Sequence, residues 1–292
     1  MSDDFRVVYE NPSYGACSDR ALVLTSIGIP YDIVHDAGTC VLIVPAEYSA
    51  RAAEQLRLYD QENPPPVRKT IPELKAQDAL PGIAVYFVTL CLVAGMAGYG
   101  YFGADWYGAG RVDGTLIRNG EWWRTITALT LHGDAAHLAG NLVFGVLFGL
   151  FAGRLLGSGV AWLIIIVCAA LGNAVNTFML DPSHRSIGAS TAVFAALGLV
   201  AGFVFRGKLM SQERWPYRWG PIVGGFALLM FTGTGDENTD IGAHLTGFLC
   251  GFGGGVLLSP FMHKLAAAKL QIAAAAAALA LVAGAWFLAL GV

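Results

Sequence analysis

A serine, a histidine and a pair of hydrogen-bond donors are the residues here whose types and setting could do covalent chemistry. Ser190 sits in the string Ser186-Ile187-Gly188-Ala189-Ser190-Thr191-Ala192-Val193-Phe194. If a helix starts there, its free backbone N–H groups and the positive end of its dipole surround the hydroxyl and could hold a developing oxyanion. Gly188 would let a substrate backbone come close. A serine at that place is also what caps a helix, and the string alone favours the cap. His244 lies in Gly242-Ala243-His244-Leu245-Thr246-Gly247. Brought to Ser190, it could take the hydroxyl proton and return it to a leaving amine. The bland alternative for a single such histidine is a ring bonded to a backbone carbonyl. His137 and Asn141 are four apart, share one helix face and can both donate to an oxyanion. His132 and His137 are five apart and diverge around a helix, and the glutamate of a zinc-binding pair is missing, so no metal site is expected. Asp240, one turn before His244, could orient it, but it lies toward the aqueous end of its segment.

The elements that must position these residues are membrane spans. Of the 292 residues 55% are hydrophobic and 13% charged, about half the charge of a soluble domain. The net charge of −3 suggests no nucleic-acid partner. The five cysteines form no CxxC pair, which argues against a disulfide framework or a zinc knuckle. The polar start (Ser2, Asp3, Asp4) lacks the apolar core of a cleavable signal. Residues 1–62 read as a small β-α-β-β-α domain. Its strands are Arg6–Glu10, Tyr31–Asp36 and Cys40–Pro45. Its helices are Ser18–Gly28 and Ala46–Tyr59, the second with a stripe of Ala46, Ala50, Ala53 and Leu56. Residues 63–80, with Pro64, Pro65 and Pro66, read as a linker.

Seven spans are expected, near 81–103, 134–153, 159–180, 188–205, 219–234, 239–259 and 270–290. The long segment between the first two carries Trp106, Trp122 and Trp123, residue types that suit the headgroup layer. Lys and Arg gather in the loops before the first span, after the second, between the fourth and fifth, and between the sixth and seventh. That places the N-terminus in the cytosol and the C-terminus outside. Spans two, four and six then enter from the outer face, and their polar residues converge at one depth. Ala243, Gly247, Gly251 and Gly255 form a small-residue stripe, and Gly198 and Gly202 lie in line with Ser190. Such stripes let helices pack closely.

On these residues the chain resembles the rhomboid family of intramembrane serine proteases. Four blocks match in order: Glu121-Trp122-Trp123-Arg124, then His132-x4-His137-x3-Asn141, then Gly188-x-Ser190-x3-Phe194, then Ala243-His244-x2-Gly247. The resemblance implies an all-α polytopic bundle with a six-span core over 81–260, an added C-terminal span over 261–292, and the small α/β domain ahead of them. It implies a Ser190–His244 dyad without a third member, and an oxyanion hole of His137, Asn141 and the Ser190 N–H. Phe194 would pack under the histidine, and Trp122, Trp123 and Arg124 would be structural. His132, Gly188 and Gly247 would support the site. No cofactor or metal is implied. Substrates would be membrane-spanning proteins, in a bacterial inner membrane with the site opening outward. Thr191 departs from the family, which often has glycine there. The alternatives are a rhomboid-like protein that binds and escorts membrane clients without cutting them, and a transporter. Escorts usually lack the serine or the histidine, and a transporter would show internal repeats.

Overall fold

A computed structural model describes residues 4–36, 38–64, 76–210, 223–224, 227 and 240–291. The chain divides into two compact units, Met1–Thr70 and Ile71–Val292.

The first unit is a three-stranded antiparallel sheet with two helices. In chain order it runs β1 (Phe5–Asn11), α1 (Tyr14–Ser26), β2 (Asp32–Asp36), β3 (Thr39–Pro45) and α2 (Ser49–Glu62). β3 lies between β1 and β2. It alternates strictly, burying Cys40, Leu42 and Val44, as a pleat with one covered face requires. Leu24, Ile29, Ala52 and Leu56 close that core. The expected stripe on α2 is corrected: Ala52 and Leu56 are buried, while Ala46, Ala50 and Ala53 face water. Residues 46–48 form a 3-10 turn before α2, and Ala52 and Leu56, four apart, make the buried face of the helix.

The second unit is a helical bundle. Among the described residues six helices are long and apolar enough to cross a membrane: Leu80–Gly98, Ala135–Leu156, Ser158–Met179, Ser190–Gly207, Ile241–Leu265 and Ala268–Leu290. We label them α3 (Leu80–Gly98), α7 (Ala135–Leu156), α8 (Ser158–Met179), α9 (Ser190–Met210), α10 (Ile241–Leu258) and α11 (Ala268–Leu290). The span expected near 219–234 lies outside the described residues, as does 65–75 of the linker. α3 stops at Gly98, not near 103, because Gly100 turns left-handed at φ 61°. α9 is the axis of the bundle: 67% of its membrane window is buried, against 17% for α3.

Between α3 and α7 lie three short helices, α4 (Trp106–Gly110), α5 (Gly114–Arg118) and α6 (Arg124–Thr127). Arg124 holds them together. Buried, its guanidinium donates to Gly108 O (2.8 Å), Arg111 O (3.1 Å) and Glu121 Oε2 (2.6 Å). Arg124→Leu is expected to destabilise the fold by about 2 kcal/mol, the cost of leaving the Gly108 and Arg111 carbonyls without their charged donor. The measurement is the thermal unfolding midpoint in detergent, and an unchanged midpoint would refute a holding role. Trp106 is 4% exposed and its ring packs against Trp286, with centroids 4.6 Å apart and planes tilted by 47°, so it lies inside the fold. Trp122 is half exposed.

Candidate active site

Two elements fix the approach to Ser190. A two-residue strand, β4 (Val112–Asp113), pairs with β5 (Arg185–Ser186), and Arg185 Nε donates to Asp113 Oδ2 at 2.9 Å. Closer to the serine, Gly188 N–H donates to Ala128 O (2.9 Å), and Ala189 N–H donates to His132 Nε2 (3.4 Å). Gly188 sits at φ 131°, where L side chains are strained. A Cβ there would lie 2.7 Å from His137 Nε2 and 3.7 Å from Ser190 Oγ. Glycine is thus needed for both backbone and space, and Gly188, His137 and Ser190 share one small volume. α9 begins at Ser190 itself.

α10, which carries His244, packs on α9 through a seam of backbone on backbone. A Cβ on Gly247 would lie 2.6 Å from Thr191 O. Gly251 abuts Ala195 O and Gly255 abuts Leu199 O, while Gly198 and Gly202 meet Phe248 O and Phe252 O across the same seam. The stripes on α9 and α10 therefore face each other. One turn along α9 from Ser190, the Phe194 ring lies 4.5 Å from the His244 ring, centroid to centroid. Both are buried.

α7 supplies His137 and Asn141. Asp134 caps that helix, accepting from His137 N–H at 2.8 Å. Buried Asn141 spends one amide proton on His137 O (3.1 Å), leaving the second free to donate elsewhere. Tyr86 O–H donates to Asn141 O at 2.7 Å and ties α3 to this turn. His132 corrects an expectation. It precedes α7 and does not ride on it, so the two histidines do not diverge around a helix; their rings meet edge to face at 5.1 Å. Burial, with the nearby His137, pushes the His132 imidazole down to about 4. It is therefore neutral in the fold, and one nitrogen can accept from Ala189. Unfolded, it would titrate near 6.5. As pH falls from about 6.5 toward 4, only the unfolded chain gains the proton, so this contribution of roughly 3 kcal/mol is lost over that window. Unfolding midpoints measured from pH 7.5 to 4 should fall, and less steeply in His132→Gln. Parallel slopes for the two would refute the assignment.

Asp240 caps α10, accepting from Ala243 N–H at 3.0 Å. Its oxygens also meet Asn176 Nδ2 (3.0 Å) and His184 Nε2 (2.8 Å). Burial would raise its pKa, but the Ala243 amide, His184 and Asn176 outweigh it and hold the carboxyl below the usual range. These contacts place it in a loop-to-helix cluster with His184.

Two residues escaped the reading of the sequence. Asn173 and Asn176 lie in apolar α8, and both are buried. Asn173 Oδ1 accepts from Thr191 O–H (2.9 Å), and its amide donates to Thr125 O (2.9 Å). Thr191 thereby ties the start of α9 to α6 through α8. The signal was present: uncharged amides in the middle of a span are costly unless partnered.

Together the fold and this cluster define an integral multi-pass membrane protein with a polar site at the meeting of α7, α9 and α10, led by a small α/β unit. Residues 119–261 match the family model described as the rhomboid domain. The chain is 34% identical over 145 residues to the putative rhomboid protease YdcA of Bacillus subtilis, covering 49% of this chain and 68% of that one. It is 38% identical over 89 residues to the rhomboid protease GluP of the same bacterium, covering 30% of this chain and 17% of GluP. It is 31% identical to rhomboid-like protease 3 of Toxoplasma gondii over 46% of this chain and half (50%) of that one. The chain belongs to the rhomboid family.

Proposed function

We propose that this protein is an intramembrane serine endopeptidase that cleaves membrane-spanning proteins with a Ser190–His244 dyad. The observation that carries this is the glycine seam between α9 and α10, which seats Phe194 against His244 one turn from Ser190. In the proposed reaction Ser190 Oγ attacks a peptide carbonyl while His244 takes its proton. The oxyanion so formed is held by the Ser190 N–H, His137 and Asn141, each such donor contributing roughly 3–4 kcal/mol to the transition state. His244 then returns the proton to the departing amine. Water attacks the acyl-serine with the same histidine as base and frees the second product. Gly188 leaves room for the substrate chain beside the serine. Trp123 and Arg124 act at a distance by fixing the loop that holds Gly188, and Gly247 acts by letting α10 close on Thr191.

The relatives named rhomboid proteases support the reaction class. In the proposed arrangement residues 1–62 form a cytosolic assembly module in a bacterial inner membrane. Residues 81–260 form the protease core with its site facing outward, and 261–292 an added span. A fluorophosphonate probe tests the nucleophile directly. It should form an adduct that peptide mapping locates at Ser190, absent in Ser190→Ala. A folded, unreactive wild type would favour the escort reading instead.

A further inference from the structure

The last helix looks dispensable in sequence: an alanine-rich span beyond the matched region, with no residue that could do chemistry. Its contacts say otherwise. At one end Gln271 stitches α11 to the α7–α8 turn. Its Oε1 accepts from Gly159 N–H (2.9 Å) and Val160 N–H (3.2 Å), and its Nε2 donates to Leu156 O (2.7 Å). At the other end Trp286, 7% exposed, donates from Nε1 to Thr130 Oγ1 at 3.0 Å across 156 positions of sequence. Its ring packs at a tilt against Trp106 and fills a notch that exists because residue 110 is glycine.

What Trp286 touches is the segment that holds the loop before Ser190. Thr130 donates onward to Thr127 O (2.8 Å) and so stays bent into the 3-10 turn of Ala128–Thr130. That turn presents Ala128 O to Gly188 N–H (2.9 Å), and two residues on His132 takes the Ala189 N–H. α4 closes a second path: Trp106 packs against Trp286, and the next residue, Tyr107, donates its hydroxyl to His132 O (2.9 Å). Trp286 thus reaches residues 128–132 by two routes, and those residues hold the two amides immediately before the nucleophile.

From this geometry we infer that Trp286 is a positioning residue: α11 clamps residues 128–132, which hold Gly188–Ser190 in the conformation the reaction uses. The inference rests on the reading of Ser190 as nucleophile for its effect on rate, but not for the clamp itself. The test uses the full-length protein in detergent with Trp286→Phe, which keeps a ring over Trp106 but loses the N–H, with Thr130→Val, and with both together. Deuterium uptake of the peptide spanning residues 186–192 reads the clamp without reference to activity. It should rise about three- to tenfold in Trp286→Phe, the range expected for losing one neutral hydrogen bond, and at least as much in Thr130→Val, which also loses the bond to Thr127 O. On a model transmembrane substrate kcat should fall by a similar factor with KM within about twofold. The double variant should be no worse than the worse single one, because both remove the same bond. Unchanged uptake overturns the inference, as does faster uptake with unchanged kcat in an active enzyme. A wild type that cleaves nothing refutes the proposed function, and uptake alone then decides for or against the clamp.

Discussion

Ser190→Ala and His244→Ala are each expected to lower the single-turnover cleavage rate of a model transmembrane substrate by about 10⁴-fold or more, with the unfolding midpoint nearly unchanged. The size follows from what is lost. Without the Oγ no acyl-enzyme forms, and the remaining oxyanion donors have no covalent step to assist. Without the imidazole the hydroxyl stays protonated, and the leaving amine receives no proton. The two groups act on one proton, so the double variant should be no slower than the worse single one. Multiplicative losses would mean that Ser190 and His244 do not work as a unit. A Ser190→Ala protein that cleaves at the wild-type rate would end the proposal.

Gly251→Val is expected to be nearly as damaging although Gly251 touches no reacting group. A side chain there drives into the Ala195 carbonyl, and both partners are helix backbone with no rotamer to escape into. The rungs at Gly247–Thr191 and Gly255–Leu199 stand one turn to either side, so α9 and α10 must part along their length. Overpacking of this kind costs about 1–3 kcal/mol. The larger effect is geometric: parting the seam lifts His244 from Phe194 and away from Ser190, and a displacement of about 1 Å costs on the order of 10²-fold in rate. Gly253, on the same helix, has open space where its Cβ would go, so Gly253→Ala serves as the control and should stay near wild type. Rates and midpoints measured together decide it. A Gly251→Val protein with wild-type rate would mean that the seam does not position the dyad.

The loop variants sort by the same geometry. Arg124 braces the short helices, Trp286 reaches the 3-10 turn through Thr130, and His132 takes the Ala189 amide. Thr191, which departs from the usual glycine, directs its hydroxyl to Asn173, so it strengthens this frame from the α8 side.

The sequence by itself determined a good deal. The membrane class follows from scarce charge, because a bilayer tolerates so little of it. The spans follow from apolar length, the N-terminal order from alternation and turn residues, and the polar residues of α7, α9 and α10 from their being out of place in apolar runs. The four-residue spacing of Gly247, Gly251 and Gly255 showed that some helix packs closely there. With Gly198 and Gly202 in line with Ser190, it pointed to the helix of Ser190 as the partner, and the structure bears this out. Tertiary structure decided which backbone atoms meet across that seam, that Trp106 turns inward, and that Asp240 serves a cap and His184. It also decided that a span with no chemistry of its own reaches the segment that holds the loop before Ser190. The reason is physical. Periodicity and composition are local and survive in one dimension, whereas Trp286 and Thr130, or Asn173 and Thr191, become neighbours only when the helices between them are stacked, and a hydrogen bond leaves no spacing in the sequence.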